Sequence, residues 1–268
     1  MAGLAGFEKA DALKIRTILI ATRRWLFCAG TALLTAAPCC AQVIHLGAII
    51  RGDTARPEVA LVFTGHEYAE GGEEILRVLE REGAPASFFF TGAFLEAYPE
   101  LAKRAFEAGH YVGPHSDGHL LYCPWEDRQQ LLVTRDSFQN DLRRNYQKLA
   151  ALGIPSGSAP FFLPPYEWYN DSIAHWTAQE GLQLINMTPG TLTHADYTVP
   201  EAHNYRSSAA IWESLSRPPH LNGFLLLSHI GVGPRRPDKF YALLPRLIRW
   251  LRAGGYRLAR VDELLQNE

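Results

Sequence analysis

Cysteine is scarce and poorly placed for cross-linking. The chain has four cysteines in 268 residues, and Cys28, Cys39 and Cys40 all lie near the N-terminus. Cys123 is the only one further along, so a chain that loses its N-terminal segment holds no internal disulfide. Cys123 reads as a small buried residue and not as a nucleophile. An excess of charge of either sign is also missing: the formal net charge is -2, which argues against a nucleic-acid partner. Long apolar runs are missing as well. The longest N-terminal stretch, from Trp25 to Ala37, falls short of the roughly 20 residues a membrane span needs. There is no internal repeat and no low-complexity linker.

Apolar residues make up 47% of the chain and charged residues 20%, enough to bury the core of one catalytic-size domain. The N-terminus differs in kind. Arg23 and Arg24 precede the apolar stretch, and Pro38-Cys39-Cys40-Ala41-Gln42 follows it. A positive flank, a short apolar run and small residues mark an export signal. The expectation is a signal peptide over 1–41, cut after Ala41, with a catalytic domain over 42–268. Thr22-Arg23-Arg24-Trp25-Leu26-Phe27 also looks like a twin-arginine signal. The mature protein is then exported, periplasmic or secreted, without stable membrane insertion, and expected to be a monomer.

Beyond residue 42 two periodicities alternate. Continuous apolar runs at 58–63, 86–91, 111–112, 159–163, 182–186, 224–229 and 257–261 read as strands covered on both faces. Between them, apolar residues at helical spacing predict helices over 71–81, 99–108, 138–152, 170–180 and 240–253. Gly109, Gly153, Gly181 and Gly254 follow four of these as stop signals. About seven strands alternating with helices predict an α/β fold, a closed or nearly closed parallel β/α barrel.

Against that frame, one stretch carries chemistry: Gly113-Pro114-His115-Ser116-Asp117-Gly118-His119. Two histidines four residues apart fall on one face of a helical turn, and both then reach one metal ion. His66, Tyr166 and His229 also follow strand ends. In parallel α/β folds that rim holds the functional residues, so four separate segments are expected to converge on one mouth.

These residues resemble the polysaccharide deacetylase family, the NodB-homology group of carbohydrate esterase family four, over about 59–265. The family's second motif, H-S/T-x-x-H, is matched by His115 to His119. The third, R-x-P-Y, is echoed by Leu163-Pro164-Pro165-Tyr166. The fifth, Leu-x-His after an apolar strand, is matched by Leu227-Ser228-His229, and the fourth only loosely by Asp196-Tyr197. The first motif departs. The family reads T-F-D-D-G, with a base aspartate and a ligand aspartate; here the stretch is Val62-Phe63-Thr64-Gly65-His66-Glu67. Leu163 stands where the family has an arginine that partners the base. A divergent exported branch with F-T-G-D-E at this point is similar.

The resemblance implies a distorted seven-stranded NodB-like barrel. It also implies a metal-dependent deacetylase that removes N- or O-linked acetyl groups from a poly- or oligosaccharide. The expected metal ligands are His66, His115 and His119, His66 replacing an aspartate, and the expected ion is zinc. His229 becomes the general acid and Glu67 the candidate base, with Glu167 and Asp117 as substitutes. The backbone N–H of Tyr166 would serve the oxyanion, Leu227 would line the acetyl-methyl pocket, and Trp168 would stack on sugar. Two other functions compete: a carbohydrate-binding relative that lost its base, and a metal-dependent amidase acting on a non-sugar amide.

Overall fold

The computed structural model describes residues 42–265, so the proposed signal peptide lies outside the described residues. β1 (Val43–His45) and β2 (Ala48–Arg51) form a hairpin. Then come β3 (Glu58–Gly65), α1 (Gly72–Glu82), β4 (Ser87–Phe90), α2 (Gly92–Ala97), α3 (Pro99–Glu107), β5 (Tyr111–Pro114) and α4 (Arg135–Ala151). The chain continues through β6 (Phe161–Phe162), α5 (Asp171–Gln179), β7 (Gln183–Leu184), α6 (Ser208–Ser214), β8 (Phe224–His229), α7 (Leu244–Ala253), β9 (Arg257–Ala259) and α8 (Val261–Leu264).

The main sheet runs β1-β2-β8-β3-β4-β5, with β9 also paired to β3; β6 and β7 pair as a separate parallel ribbon. Two joints curl the set into a ring. Ile49 of β2 bridges Ile185 just beyond β7. On the other side the Tyr111 hydroxyl donates to the Phe161 carbonyl at 3.1 Å and accepts from the Phe161 N–H at 2.9 Å. The result is the expected distorted α/β barrel, with one correction: the β1–β2 and β2–β8 pairs are antiparallel, so the sheet is mixed. β6 and β7 are shorter than expected. Pro160, Pro164 and Pro165 flank β6 and offer no N–H for a longer ladder. Likewise the predicted helix over 240–253 is a 3-10 turn at Phe240–Leu243 before α7. Pro245, in the first turn of α7, lacks the N–H that would extend the α-helical ladder upstream.

β3 is buried at all eight residues, because the sheet is covered on both faces. Side chains alternate along a strand, and here successive residues enter different cores. Val59, Leu61, Phe63, Phe88, Phe90, Val112, Phe224 and Leu226 pack outward against α1, α3 and α7. Ala60, Val62, Phe89, Tyr111, Leu225 and Leu227 fill the barrel interior with Leu163 and Ile185. Extending the inward parity to the strand ends places Thr64, Thr91, His115 and His229 on the inner side of the rim. The fold therefore delivers the expected histidines to one mouth.

The outer core is rich in phenylalanine. Phe90 is fully buried and stacks on Phe94, ring centroids 4.4 Å apart. Phe90→Ala should destabilise the protein by about 3–5 kcal/mol through lost burial and a residual cavity, read as a lower urea midpoint with an unchanged m-value.

Candidate active site

The segment after β5 is not the helical turn its spacing suggests. Ser116 and His119 take left-handed backbone conformations, with φ of 70° and 50°, and residues 115–120 have no helical assignment. What brings the imidazoles together is an irregular loop held by α4. Asp141 accepts from the N–H groups of Asp117 at 2.9 Å and Gly118 at 2.8 Å. One turn along, the Asn145 side chain accepts from the His115 N–H at 2.9 Å and donates to the Phe90 carbonyl at 3.2 Å. Both residues are fully buried, and their i, i+4 spacing puts them on one helix face. The Asp117 carboxylate is taken by Lys148 at 2.6 Å and Arg144 at 2.9 Å. It is thus committed to structure, which removes it from the candidate bases.

His115 is buried, and its Nδ1 lies 2.8 Å from the Leu163 carbonyl oxygen. A carbonyl only accepts, so Nδ1 carries the proton and Nε2 keeps its lone pair. Burial, with His229 and His66 nearby, pushes this imidazole down to about 3 despite the Leu163 bond. Burial, with its three histidine neighbours, drives His119 down further still. Both are therefore neutral electron-pair donors at pH 7. Their ring centroids are 5.3 Å apart, at 62°.

His66 sits exposed on the rim, its Nδ1 3.1 Å from the Thr91 hydroxyl. It lies flat against His119, with centroids 4.1 Å apart and planes at 15°. Its pKa is lowered by burial, partly countered by Glu67. Glu67 itself is exposed, and its carbonyl accepts from the Tyr98 hydroxyl at 3.3 Å.

Two imidazoles bound tetrahedrally to one zinc have ring centres roughly 5 Å apart, so the His115–His119 separation fits shared coordination. The His66–His119 stack is tighter than that. Among the described residues no three His, Cys, Asp or Glu side chains stand as a ready metal cluster. The donor chemistry nonetheless fits a zinc-class ion. Three imidazoles adjoin, two of them held neutral by burial, and His115 has the backbone-carbonyl partner typical of metal-binding histidines.

Opposite these rings stands His229. Its Nδ1 is 2.6 Å from Asp196 Oδ1, and its N–H donates to Asp196 Oδ2 at 2.9 Å. Burial alone would depress its pKa; the charge and hydrogen bond of Asp196, with a contribution from Glu167, outweigh that and raise it. Its pKa is raised where those of His66, His115 and His119 are lowered. The loose Asp196-Tyr197 match thus marks a real partner. His194, which the sequence pattern does not single out, lies beside this pair. Its Nδ1 is buried without a partner, and burial pushes it down to about 4.

The wall of the mouth is aromatic. Tyr166, 37% exposed, packs its ring 4.4 Å from His119 and edge-on against Trp125 at 5.6 Å. Trp168 follows, covered on one face by the Arg128 guanidinium at 3.6 Å, with its Nε1–H donated to the Pro124 carbonyl at 3.2 Å. Leu227 is fully buried and shares the inward face of β8 with His229. Beneath Tyr166 lies Glu167, only 8% exposed. Burial raises its carboxyl to about 7, with His229 opposing and Asp196 reinforcing the shift.

An α/β barrel with neutral imidazoles and an aspartate-paired histidine around its rim belongs with the barrel hydrolases. The particular family follows from comparison: a model described as polysaccharide deacetylase matches residues 51–185, about half of the chain, and the chain belongs to that family. An uncharacterised protein of Geobacillus stearothermophilus is 25% identical over 223 residues, covering 83% of this chain and 76% of its own length. A peptidoglycan-N-acetylglucosamine deacetylase of Bacillus cereus is 26% identical over 142 residues, covering 53% of this chain; the chain spans 48% of that relative. Among solved structures, a family 4 carbohydrate esterase pseudoenzyme from Bacillus anthracis superposes with a TM-score of 0.67 at 20% identity, covering 83% of this chain and 70% of the other. That similarity shows the fold.

Asn145→Ala should cost about 1–3 kcal/mol, because it removes two buried hydrogen bonds of about 0.5–1.5 kcal/mol each and leaves the His115 N–H and the Phe90 carbonyl only each other. Urea unfolding measures this, and the loss should exceed that of an alanine substitution at exposed Gln147 on the same helix.

Proposed function

We propose that the chain is a metal-dependent deacetylase that hydrolyses N- or O-linked acetyl groups of a poly- or oligosaccharide outside the cytoplasm. The observation that carries this reading is the division of charge across one mouth: neutral His115 and His119 on one side, and Asp196-supported His229 on the other. The relative named as a peptidoglycan-N-acetylglucosamine deacetylase supports the substrate class.

His66, His115 and His119 would hold a divalent ion, zinc by preference. When bound, such an ion polarises a carbonyl and acidifies water. The rest falls to the chain. His229 supplies the Nε2 proton for the departing amine or alcohol, while Asp196 at its Nδ1 fixes the ring and raises its affinity for that proton. The Tyr166 backbone N–H serves the oxyanion, Trp168 and Tyr166 offer aromatic surface to a sugar ring, and Leu227 forms an apolar floor for the acetyl methyl. Two carboxylates flank the mouth: Glu67, exposed beside His66, which the sequence nominates as base, and Glu167, buried beside His229.

A second reading is favoured by one observation. β3 carries Thr64 at the first-motif position, its hydroxyl buried without a partner and level with His229 across the sheet. Loss of the usual base would leave a carbohydrate-binding protein, and a solved relative is itself called a pseudoenzyme.

The test is metal content together with acetate release from acetylated chito-oligosaccharides and peptidoglycan fragments. We expect one zinc per chain and measurable acetate, with both lost in His115→Ala. Sugar binding without acetate release supports the binding-protein reading, and turnover confined to small non-sugar amides supports an amidase.

The pH profile supplies a second prediction. Asp196 holds the His229 pKa above its ordinary 6.5, so kcat/KM should fall only as the pH rises through that raised value. In Asp196→Asn burial prevails, and the basic limb should move to lower pH. The stability contribution has the same sign: fully present below the unfolded histidine pKa, and lost as the pH rises through the folded one.

A further inference from the structure

We propose that Glu167 is the carboxylate that accepts the proton of the attacking water, supplied by the turn after β6 in place of the aspartate whose position β3 fills with Thr64. This rests on the deacetylase reading above.

The argument starts from the backbone. Tyr166 and Glu167 are consecutive non-glycine residues in left-handed conformation, with φ of 59° and 54°. Each such residue costs on the order of 1 kcal/mol, so the surroundings must hold them. They do: the Glu167 N–H donates to the Pro164 carbonyl at 3.2 Å, and its carbonyl accepts from Asn186 Nδ2 at 2.8 Å. The second left-handed residue keeps the Glu167 side chain within the fold, and it is 8% exposed.

Despite that burial, the carboxyl receives no hydrogen bond from any described residue. The two carboxylates that serve the neighbouring histidine segments are engaged: Asp141 takes two backbone N–H groups and Asp196 is paired with His229. Its oxygens are not among the polar atoms sealed from solvent without a partner, so the carboxyl is uncommitted within the protein and keeps access to water, as proton transfer with a water requires. The charges that bear on Glu167 come from His229 on β8 and Asp196 on the 3-10 turn at Thr193–Tyr197; Tyr197 senses its charge in turn. Glu167 therefore stands at the acid end of the mouth, and its elevated affinity for protons suits proton transfer near neutrality. Glu67 has the opposite setting, exposed to water.

The proton balance closes. As the water oxygen bonds to the acetyl carbon, one of its protons passes to Glu167 and the carbonyl π pair moves to oxygen. On collapse the carbon–nitrogen bond breaks, and its electron pair leaves with the amine, which takes the His229 proton. Glu167 then gives up its proton as His229 regains one from solvent. The net change is amide plus water to acetic acid plus amine.

Glu167→Gln keeps the shape and removes the base. In the metal-loaded full chain, kcat for acetate release should fall by about 10²–10⁴-fold, with KM, metal content and urea midpoint close to wild type. Glu80→Gln, at an exposed carboxylate of α1, should retain activity. Because glutamine at a strained buried site can misfold, Glu167→Ala supplies a second arm: added formate should restore acetate release in a concentration-dependent way, which a merely structural role would not allow. Glu167→Gln that remains active beside an active wild type overturns the assignment alone. So does a folded, metal-loaded Glu167→Ala that formate fails to rescue. A wild type that releases no acetate from any acetylated glycan overturns the deacetylase reading and this assignment with it.

Discussion

Desolvation sets the charge of the rim histidines, and the site depends on it. A buried imidazole must remain neutral unless a carboxylate repays the cost of its charge. The charges that bear on His115 and His119 come from other histidines, which oppose protonation as burial does, so they stay neutral and keep their lone pairs. His229 has Asp196 against it at 2.6 Å and goes the other way. Groups able to bind a cation and a group able to give up a proton thus share one mouth. Deacetylation asks for both at once.

The barrel makes this division possible by alternation. Inward positions on β3, β4, β5 and β8 fill the interior with apolar side chains along their length and present polar ones as they reach the rim. The same parity that buries Tyr111 and Leu227 delivers His115 and His229. α4 then fixes the loop beyond β5 with two buried polar side chains, Asp141 and Asn145, that satisfy its exposed N–H groups. Buried polar groups so fully satisfied rigidify the segment they hold, and here that segment carries the histidines.

The missing first-motif aspartates give the chain its individual character. Thr64 occupies one such place and His66 follows, so β3 itself brings no aspartate to the mouth. Carboxylates come instead from Glu67 in the loop beyond it and from Asp196 and Glu167. A carboxylate can be relocated across a rim without disturbing the barrel, because loops after different strands reach the same cavity. The aromatic wall of Tyr166, Trp125 and Trp168 borders the mouth too, joining the proton-handling groups to the surface a sugar would meet.

Much of this was legible in the chain of letters. Continuous apolar runs gave the strands, helical spacing the helices, and position after strand ends the rim, because burial on both sheet faces and helix periodicity are local consequences of composition. His115, His119 and His229 could be chosen from spacing and family likeness alone. The helical turn assumed for His115 and His119 could not survive, since two left-handed residues and the grip of α4 are not written in an i, i+4 spacing. The antiparallel hairpin, the stacking of His66 on His119, the neutralisation of Asp117 by Arg144 and Lys148, and the isolation of Glu167 likewise depend on partners tens of residues away. Sequence settled which side chains are available and on which strand ends they ride. Which of them are charged, paired or left without a partner was settled only by packing, because desolvation and Coulomb forces act over distances in space and not along the chain.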